Sequence, residues 1–126
     1  MSSFILDASA VLAFLNQENG SDKVERLISD SKISAVNVSE VLARSVLLGH
    51  TNESARESFA MLGLEIIDFD ESHAMKTAEL QASTRHLGLS LGDRSCLATA
   101  ILRDATAVTA DRQWKKLKLC TVELIR

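Results

Sequence analysis

Phe4-Ile5-Leu6-Asp7-Ala8-Ser9-Ala10-Val11-Leu12-Ala13-Phe14-Leu15 decides the fold. A short apolar run, Ser3–Leu6, reads as a buried strand. An acid follows, and then Val11, Leu12, Phe14 and Leu15 recur at helical spacing over Ala8–Asn16. Strand, polar turn, helix is the unit from which parallel sheets are built.

The same unit recurs downstream. Asp22–Asp30 reads as a second helix after the turn Asn19-Gly20-Ser21. Ile33–Val36 reads as a strand, followed by a helix from Asn37 to Leu48 that stops at Gly49. Helix Asn52–Leu62, strand Leu64–Phe69 and helices Glu71–Leu87 and Leu91–Arg103 come next. Strand Ala107–Thr109, a short helix Arg112–Leu117 and strand Thr121–Ile125 close the chain. With no proline in the chain, Gly, Asn, Asp and Ser carry the turns. The alternation predicts an α/β fold: a three-layer α/β/α sandwich with a mostly parallel central sheet. The 126 residues predict a single domain, 1–126, without repeat or linker.

Four acids stand at the fronts of four predicted helices: Asp7, Glu40, Asp93 and Asp111. In a parallel sheet, residues just past the strands gather at the carboxyl edge, where ligands bind. Each acid alone also reads as a helix cap. Asp7 and Asp111 occupy N-cap positions, and the pairs Asn37/Glu40 and Ser90/Asp93 have capping-box spacing. Jointly they suggest something else. Two carboxylates about 5 Å apart repel by roughly 3 kcal/mol at an effective dielectric near 20. Several such pairs raise a pKa or take up a cation. Oxygen donors without His or Cys suit a hard ion, Mg²⁺ or Mn²⁺. Such a site serves hydrolysis of phosphodiesters. Ser9 and Thr109, each two residues from an acid, are candidates to orient the carboxylates or to be ordinary turn hydroxyls.

Other chemistries find little support. Cys96 and Cys120 have no metal or redox spacing and read as buried thiols; His50, His73 and His86 are scattered and read as surface or helix-end residues. No phosphate-binding glycine loop is present. A net charge of −3 gives no general attraction to nucleic acid. One basic segment, Arg112-Gln113-Trp114-Lys115-Lys116-Leu117-Lys118, adjoins the last acid. Arg112, Lys115 and Lys116 there, and Arg94 beside Asp93, are candidate phosphate contacts. Trp114 reads as a core side chain rather than a base-stacking one. No run of about 18 apolar residues suggests a membrane span, and no signal sequence is evident, so the cytoplasm is expected.

In order, L-D-A-S, V-N-V-S-E-V, L-S-L-G-D-R-S-C-L-A-T-A and V-T-A-D-R-Q-W resemble PIN-domain ribonucleases, and more narrowly the VapC-type toxins of toxin–antitoxin pairs. The resemblance spans Phe4 to the closing T-V-E-L-I-R. It implies an Mg²⁺- or Mn²⁺-dependent endoribonuclease acting on tRNA, rRNA or mRNA, a homodimer, and a cognate antitoxin that holds it inactive. It maps the family's acidic quartet onto Asp7, Glu40, Asp93 and Asp111, and its hydroxyls onto Ser9 and Thr109. Ala8 departs from the Thr found in many relatives, at a position that is not a ligand. Two other readings compete. One is a receiver-like signalling module with an acidic Mg²⁺ pocket, though Asp7 lacks the second adjacent acid such domains carry. The other is a catalytically silent PIN domain that binds RNA. Helices Asn37–Leu48 and Asn52–Leu62 carry more apolar surface than a small sheet covers, which suggests a second copy or an antitoxin segment against them.

Overall fold

Ile5 and Leu6 are completely buried on opposite faces of the first strand, so the chain begins by committing to a sheet covered on both sides. The computed structural model describes residues 3–126. Its strands are β1 (Phe4–Leu6), β2 (Ser31–Ser34), β3 (Glu65–Ile67), β4 (Thr106–Thr109) and β5 (Val122–Leu124). Its helices are α1 (Ala8–Leu15), α2 (Ser21–Leu27), α3 (Ala35–Leu47), α4 (Asn52–Ala60), α5 (Glu71–Thr84) and α6 (Leu91–Leu102). All strand pairs are parallel, in the order β3-β2-β1-β4-β5. The expected three-layer α/β/α sandwich is therefore present.

Alternation along the strands sorts the core. Leu6, Ile33 and Val108 face a layer built from α1 to α4, joined by Val11, Val24, Val41 and Phe59. Ile5, Ala107 and Val122 face α5 and α6, joined by Leu80, Cys96, Leu97 and the fully buried Trp114. The chain runs outward from β1 to β2 and β3, then crosses through α5 and α6 to β4 on the other flank of β1. The order reverses between β1 and β4, and that reversal opens a crevice at their carboxyl ends.

Several boundaries differ from the sequence reading. The second strand lies two residues earlier, at Ser31–Ser34, and α3 starts at Ala35 rather than Asn37. Ser34 is the cap: its hydroxyl accepts the Val36 N–H at 3.3 Å. Asn37 falls inside the first turn, fully buried. The long helix expected to Leu87 changes to a 3₁₀ turn over Arg85–Leu87, ending at Gly88 with φ +64°. The expected helix Arg112–Leu117 is a single 3₁₀ turn, Arg112–Lys116, too short to dominate its surroundings. Among the described residues no helix is long and apolar enough to cross a membrane. Both cysteines are free, Cys96 buried and Cys120 half-buried.

Candidate active site

Asp7 follows β1 directly and occupies the N-cap position of α1, yet its carboxylate caps nothing. It turns instead toward β4. Asp7 Oδ2 accepts the hydroxyls of Ser9 at 2.7 Å and Thr109 at 2.9 Å. Adjacent parallel strands make this inevitable: Leu6 is in register with Val108, so the residues beyond both meet at one edge. Asp7 N–H donates to Val108 O at 2.8 Å and locks that meeting point. The Ser9 hydroxyl in turn accepts the Ala110 N–H at 3.0 Å. The Thr109 hydroxyl accepts the Asp111 N–H at 3.1 Å. The two hydroxyls thus bind one carboxylate and the β4 turn together.

Glu40 arrives from α3. The capping box expected between Asn37 and Glu40 is absent, because the helix begins earlier. The pair still interacts: Asn37 Nδ2 donates to Glu40 Oε1 at 2.6 Å and to the Gly92 carbonyl at 3.1 Å. The Glu40 carboxylate lies where a side chain at position 92 would begin, so only glycine leaves it room. Asp93, the next residue, does form the capping box its sequence suggests. Asp93 N–H donates to Ser90 Oγ at 3.1 Å, and Ser90 N–H donates to Asp93 Oδ2 at 2.9 Å. One Asp93 oxygen remains uncommitted. Asp111 also caps, with Oδ1 accepting the Gln113 N–H at 3.0 Å.

The acids do not behave alike. Burial pushes Asp7 up to about 6, against the opposing Ser9 and Thr109 hydrogen bonds, and the charges of Asp93 and Glu40 push it further. Burial also raises Glu40, with Asp93 adding to it and Asn37 opposing. Asp7, Glu40 and Asp93 therefore share a field, while Asp111 is tied to Asp7 through the Thr109 hydroxyl. Among the described residues no three His, Cys, Asp or Glu side chains converge on a point that one ion could occupy. A Mg²⁺ ion, which keeps several waters and takes one or two carboxylates, does not require three of them to converge. The donor set is all oxygen, and among the described residues no cation pairs with the buried Asp7, so the residues fit a hard divalent ion.

The basic candidates are placed unevenly. Arg94 lies between α5 and α6 and donates Nη1 to Thr77 O at 3.0 Å. Lys115 Nζ donates to Val122 O at 2.9 Å, and Arg112 Nε donates to Arg126 O at 3.3 Å. Lys116 is exposed. Sequence reasoning missed Gly92 and gave Asn37 the wrong task. The i, i+3 spacing of Asn37 and Glu40 was the available signal for the second.

The PIN domain family matches residues 4–119. No curated protein matches the sequence. Among solved structures, the chain resembles a toxin–antitoxin complex from Klebsiella pneumoniae at 17% identity, TM-score 0.77, covering 98% of each chain. It resembles VapBC2 from Rickettsia felis, bound to a promoter DNA fragment, at 22% identity and TM-score 0.75, covering 96% of this chain and 97% of that one. It resembles FitAcB from Neisseria gonorrhoeae at 21% identity and TM-score 0.72, covering 97% of each chain. At these identities the likeness is one of fold; the family itself is set by the match along most of the sequence, and this chain belongs to the PIN-domain family.

Proposed function

We propose that this chain is a VapC-type toxin, an endoribonuclease that hydrolyses RNA phosphodiester bonds with Mg²⁺ or Mn²⁺. The observation that carries the reading is the buried Asp7 carboxylate, raised to about 6 beside two further acids and lacking a cation partner. A cluster that destabilises its own charge in this way suits a site completed by a cation. Asp7, Asp93, Glu40 and Asp111 are the residues that would serve the ion, no more than two of them touching it directly and the others acting through its waters. When bound, a divalent cation acidifies a water and stabilises charge on a phosphodiester oxygen.

The chain's own groups have separable tasks. Ser9 and Thr109 fix Asp7 through Oδ2 and leave Oδ1 free. Asn37 fixes Glu40 through Oε1, and Gly92 lets the carboxylate reach the site. Glu40, raised by burial, accepts a proton from the attacking water at Oε2. Asp111 holds the β4 turn in place through its cap on Gln113. Arg112, Lys115 and Lys116 are proposed to meet RNA phosphates at the rim. Arg94, tied to the Thr77 carbonyl, positions α6 and hence Asp93.

Partners follow the same reading. The structural neighbours are toxin–antitoxin complexes, which supports a cognate antitoxin. Leu47 and Leu48 are 79% and 56% exposed at the tip of the α3–α4 hairpin, and Met61 is 87% exposed at the other end of α4, apolar surface suited to a second copy. A monomer in sedimentation at micromolar concentration would remove the dimer. Purified protein should cut a tRNA with Mg²⁺ or Mn²⁺ and stop with a chelator. Cleavage persisting unchanged in both Asp7→Asn and Asp93→Asn would overturn the site.

A further inference from the structure

A groove of about 230 Å³ runs between α1 and α3, lined by Ser9, Leu12, Asn16, Glu18, Arg44 and Arg126 among others. Its inner end is Ser9, whose hydroxyl holds Asp7. Its wall on α3 is Arg44, one helical turn beyond Glu40. Glu40 and Arg44 have the i, i+4 spacing that ordinarily closes an ion pair along a helix. Here the pair is open, because Asn37 and Gly92 draw the Glu40 carboxylate the other way. Among the described residues no carboxylate lies within ion-pair distance of Arg44. Glu18, the acid lining the groove, is already engaged by Arg126 Nη1 at 3.2 Å. The groove therefore carries the uncompensated positive charge of Arg44, at the doorstep of a cluster of acids.

From this geometry we infer that the α1–α3 groove is the track for single-stranded RNA next to the scissile bond, with Arg44 gripping a backbone phosphate. The inference rests on the nuclease reading for the identity of the ligand. An acidic site repels a polyanion, so a nearby cation is needed to hold the strand against that repulsion. Arg44 is fixed in register with Glu40 by the helix, and its guanidinium suits bidentate phosphate binding. Asn16, on the facing wall, supplies a neutral hydrogen-bonding group along the same line. A contact of this kind positions the strand and carries no base preference.

The test is fluorescence anisotropy with a labelled 12-nucleotide single-stranded RNA, in EDTA to prevent cleavage, repeated in Asp7→Asn with Mg²⁺. Arg44→Ala should weaken binding about fivefold for every sequence, and lower the slope of log Kd against log salt by about 0.7, the value for one single-strand phosphate. Arg44→Lys should restore the slope. Arg103→Ala removes the same charge at the far end of α6 and should change neither. Unchanged binding and slope in Arg44→Ala would overturn the inference. So would intact RNA binding together with loss of a co-purifying protein, which would make the groove a protein seat. If the wild type cuts RNA while Arg44→Ala binds and cuts normally, only this inference falls. If RNA binds through Arg44 but is never cut with any divalent ion, the nuclease reading falls and the phosphate track stands.

Discussion

The chain contains the same local motif twice. Asp7-Ala8-Ser9 follows β1 and Asp70-Glu71-Ser72 follows β3, and both acids stand at helix N-caps. In each, the serine hydroxyl donates to the aspartate at 2.7 Å. Their electrostatics are opposite. Asp70 is exposed at the sheet edge, caps α5 by accepting the His73 N–H at 3.1 Å, and meets the His73 ring at 2.7 Å. These donors hold it far below the usual carboxylate range. Asp7 sits at the centre of the sheet, caps nothing, and is pushed up to about 6 by burial and by two neighbouring acids. Local sequence supplies the same carboxylate and the same hydroxyl; position in the sheet decides whether the result is a stabilising cap or a destabilised charge.

The largest break in that comparison is catalytic. Asp7→Asn should lower RNA cleavage by at least about 10²-fold, the usual scale for losing a group that acts in the chemistry. Asp70→Asn should leave the cleavage rate of the folded protein unchanged and lower the melting temperature, because it removes the negative charge that faces the His73 ring and the N-terminus of α5. Initial rates on a labelled tRNA, read beside thermal unfolding, separate the two. Equal rate losses in both variants would erase the distinction.

The next effect is on stability against pH, in metal-free protein. Asp7 is raised from 3.8 to about 6, so the folded state holds a proton that the unfolded state has lost between those values. Stability should therefore fall as pH rises from about 4 to 6 and then level off. The drop from this group is about 3 kcal/mol at 1.36 kcal/mol per pH unit. Glu40, also raised, acts in the same direction. Asp70 has the opposite sign: its contribution is present above its unfolded value and is lost only in stronger acid. Urea unfolding in EDTA at pH 4, 5, 6 and 7 reads the difference. Asp7→Asn should flatten the fall, and added Mg²⁺ should recover stability in the wild type at pH 7. A flat wild-type profile would remove the claim that Asp7 is held against its preference.

The layering and the parallel sheet were legible in the sequence because periodicity and strand-end position are local signals, and the same signals put Asp7, Glu40 and Asp93 close enough to share a field. The site's support was less so. Ser90 and Asp93 form the capping box their spacing suggests, since such a box needs only four consecutive residues. Asn37 and Glu40 have the same spacing and do not, because Ser34 captures the helix start two residues ahead of the expected strand end. The apolar run Ile33-Ser34-Ala35-Val36 contains no breaker to fix that boundary. Gly92 could not be read at all. Its meaning lies in the Glu40 carboxylate, which is 52 positions away in the numbering and adjacent only once α3 and α6 pack.

That long-range fit gives a sharper probe. Gly92→Ala places a methyl group where the Glu40 carboxylate lies, and the side chain must swing off Asn37. Cleavage should fall about 10- to 100-fold, the range for disturbing a group that orients a ligand carboxylate. Alanine is a better helix former than glycine, so loss of helix propensity cannot explain the defect. Gly49 and Gly88 have no neighbour within contact distance of an added methyl group, so their substitutions strain only the backbone. A Gly92→Ala protein that cuts at the wild-type rate would mean that Glu40 does not need its present seat.

The smallest effect returns to the duplicated serine. Ser9→Ala removes a hydrogen bond that favours the charged form of Asp7, so the Asp7 pKa should rise above about 6. It also strands the Ala110 N–H, which donates to the Ser9 hydroxyl. With Thr109 still bound to Asp7, the cost should be about 2 kcal/mol, that of two net hydrogen bonds. Ser72→Ala moves Asp70 in the same direction, but from so far below neutrality that nothing changes at pH 7. Carbon-13 NMR titration of the carboxyls measures both. If both aspartates remain fully ionised above pH 5 in the two variants, the hydroxyl at Ser9 is a turn group like its counterpart, and the centre of the sheet holds no special claim on it.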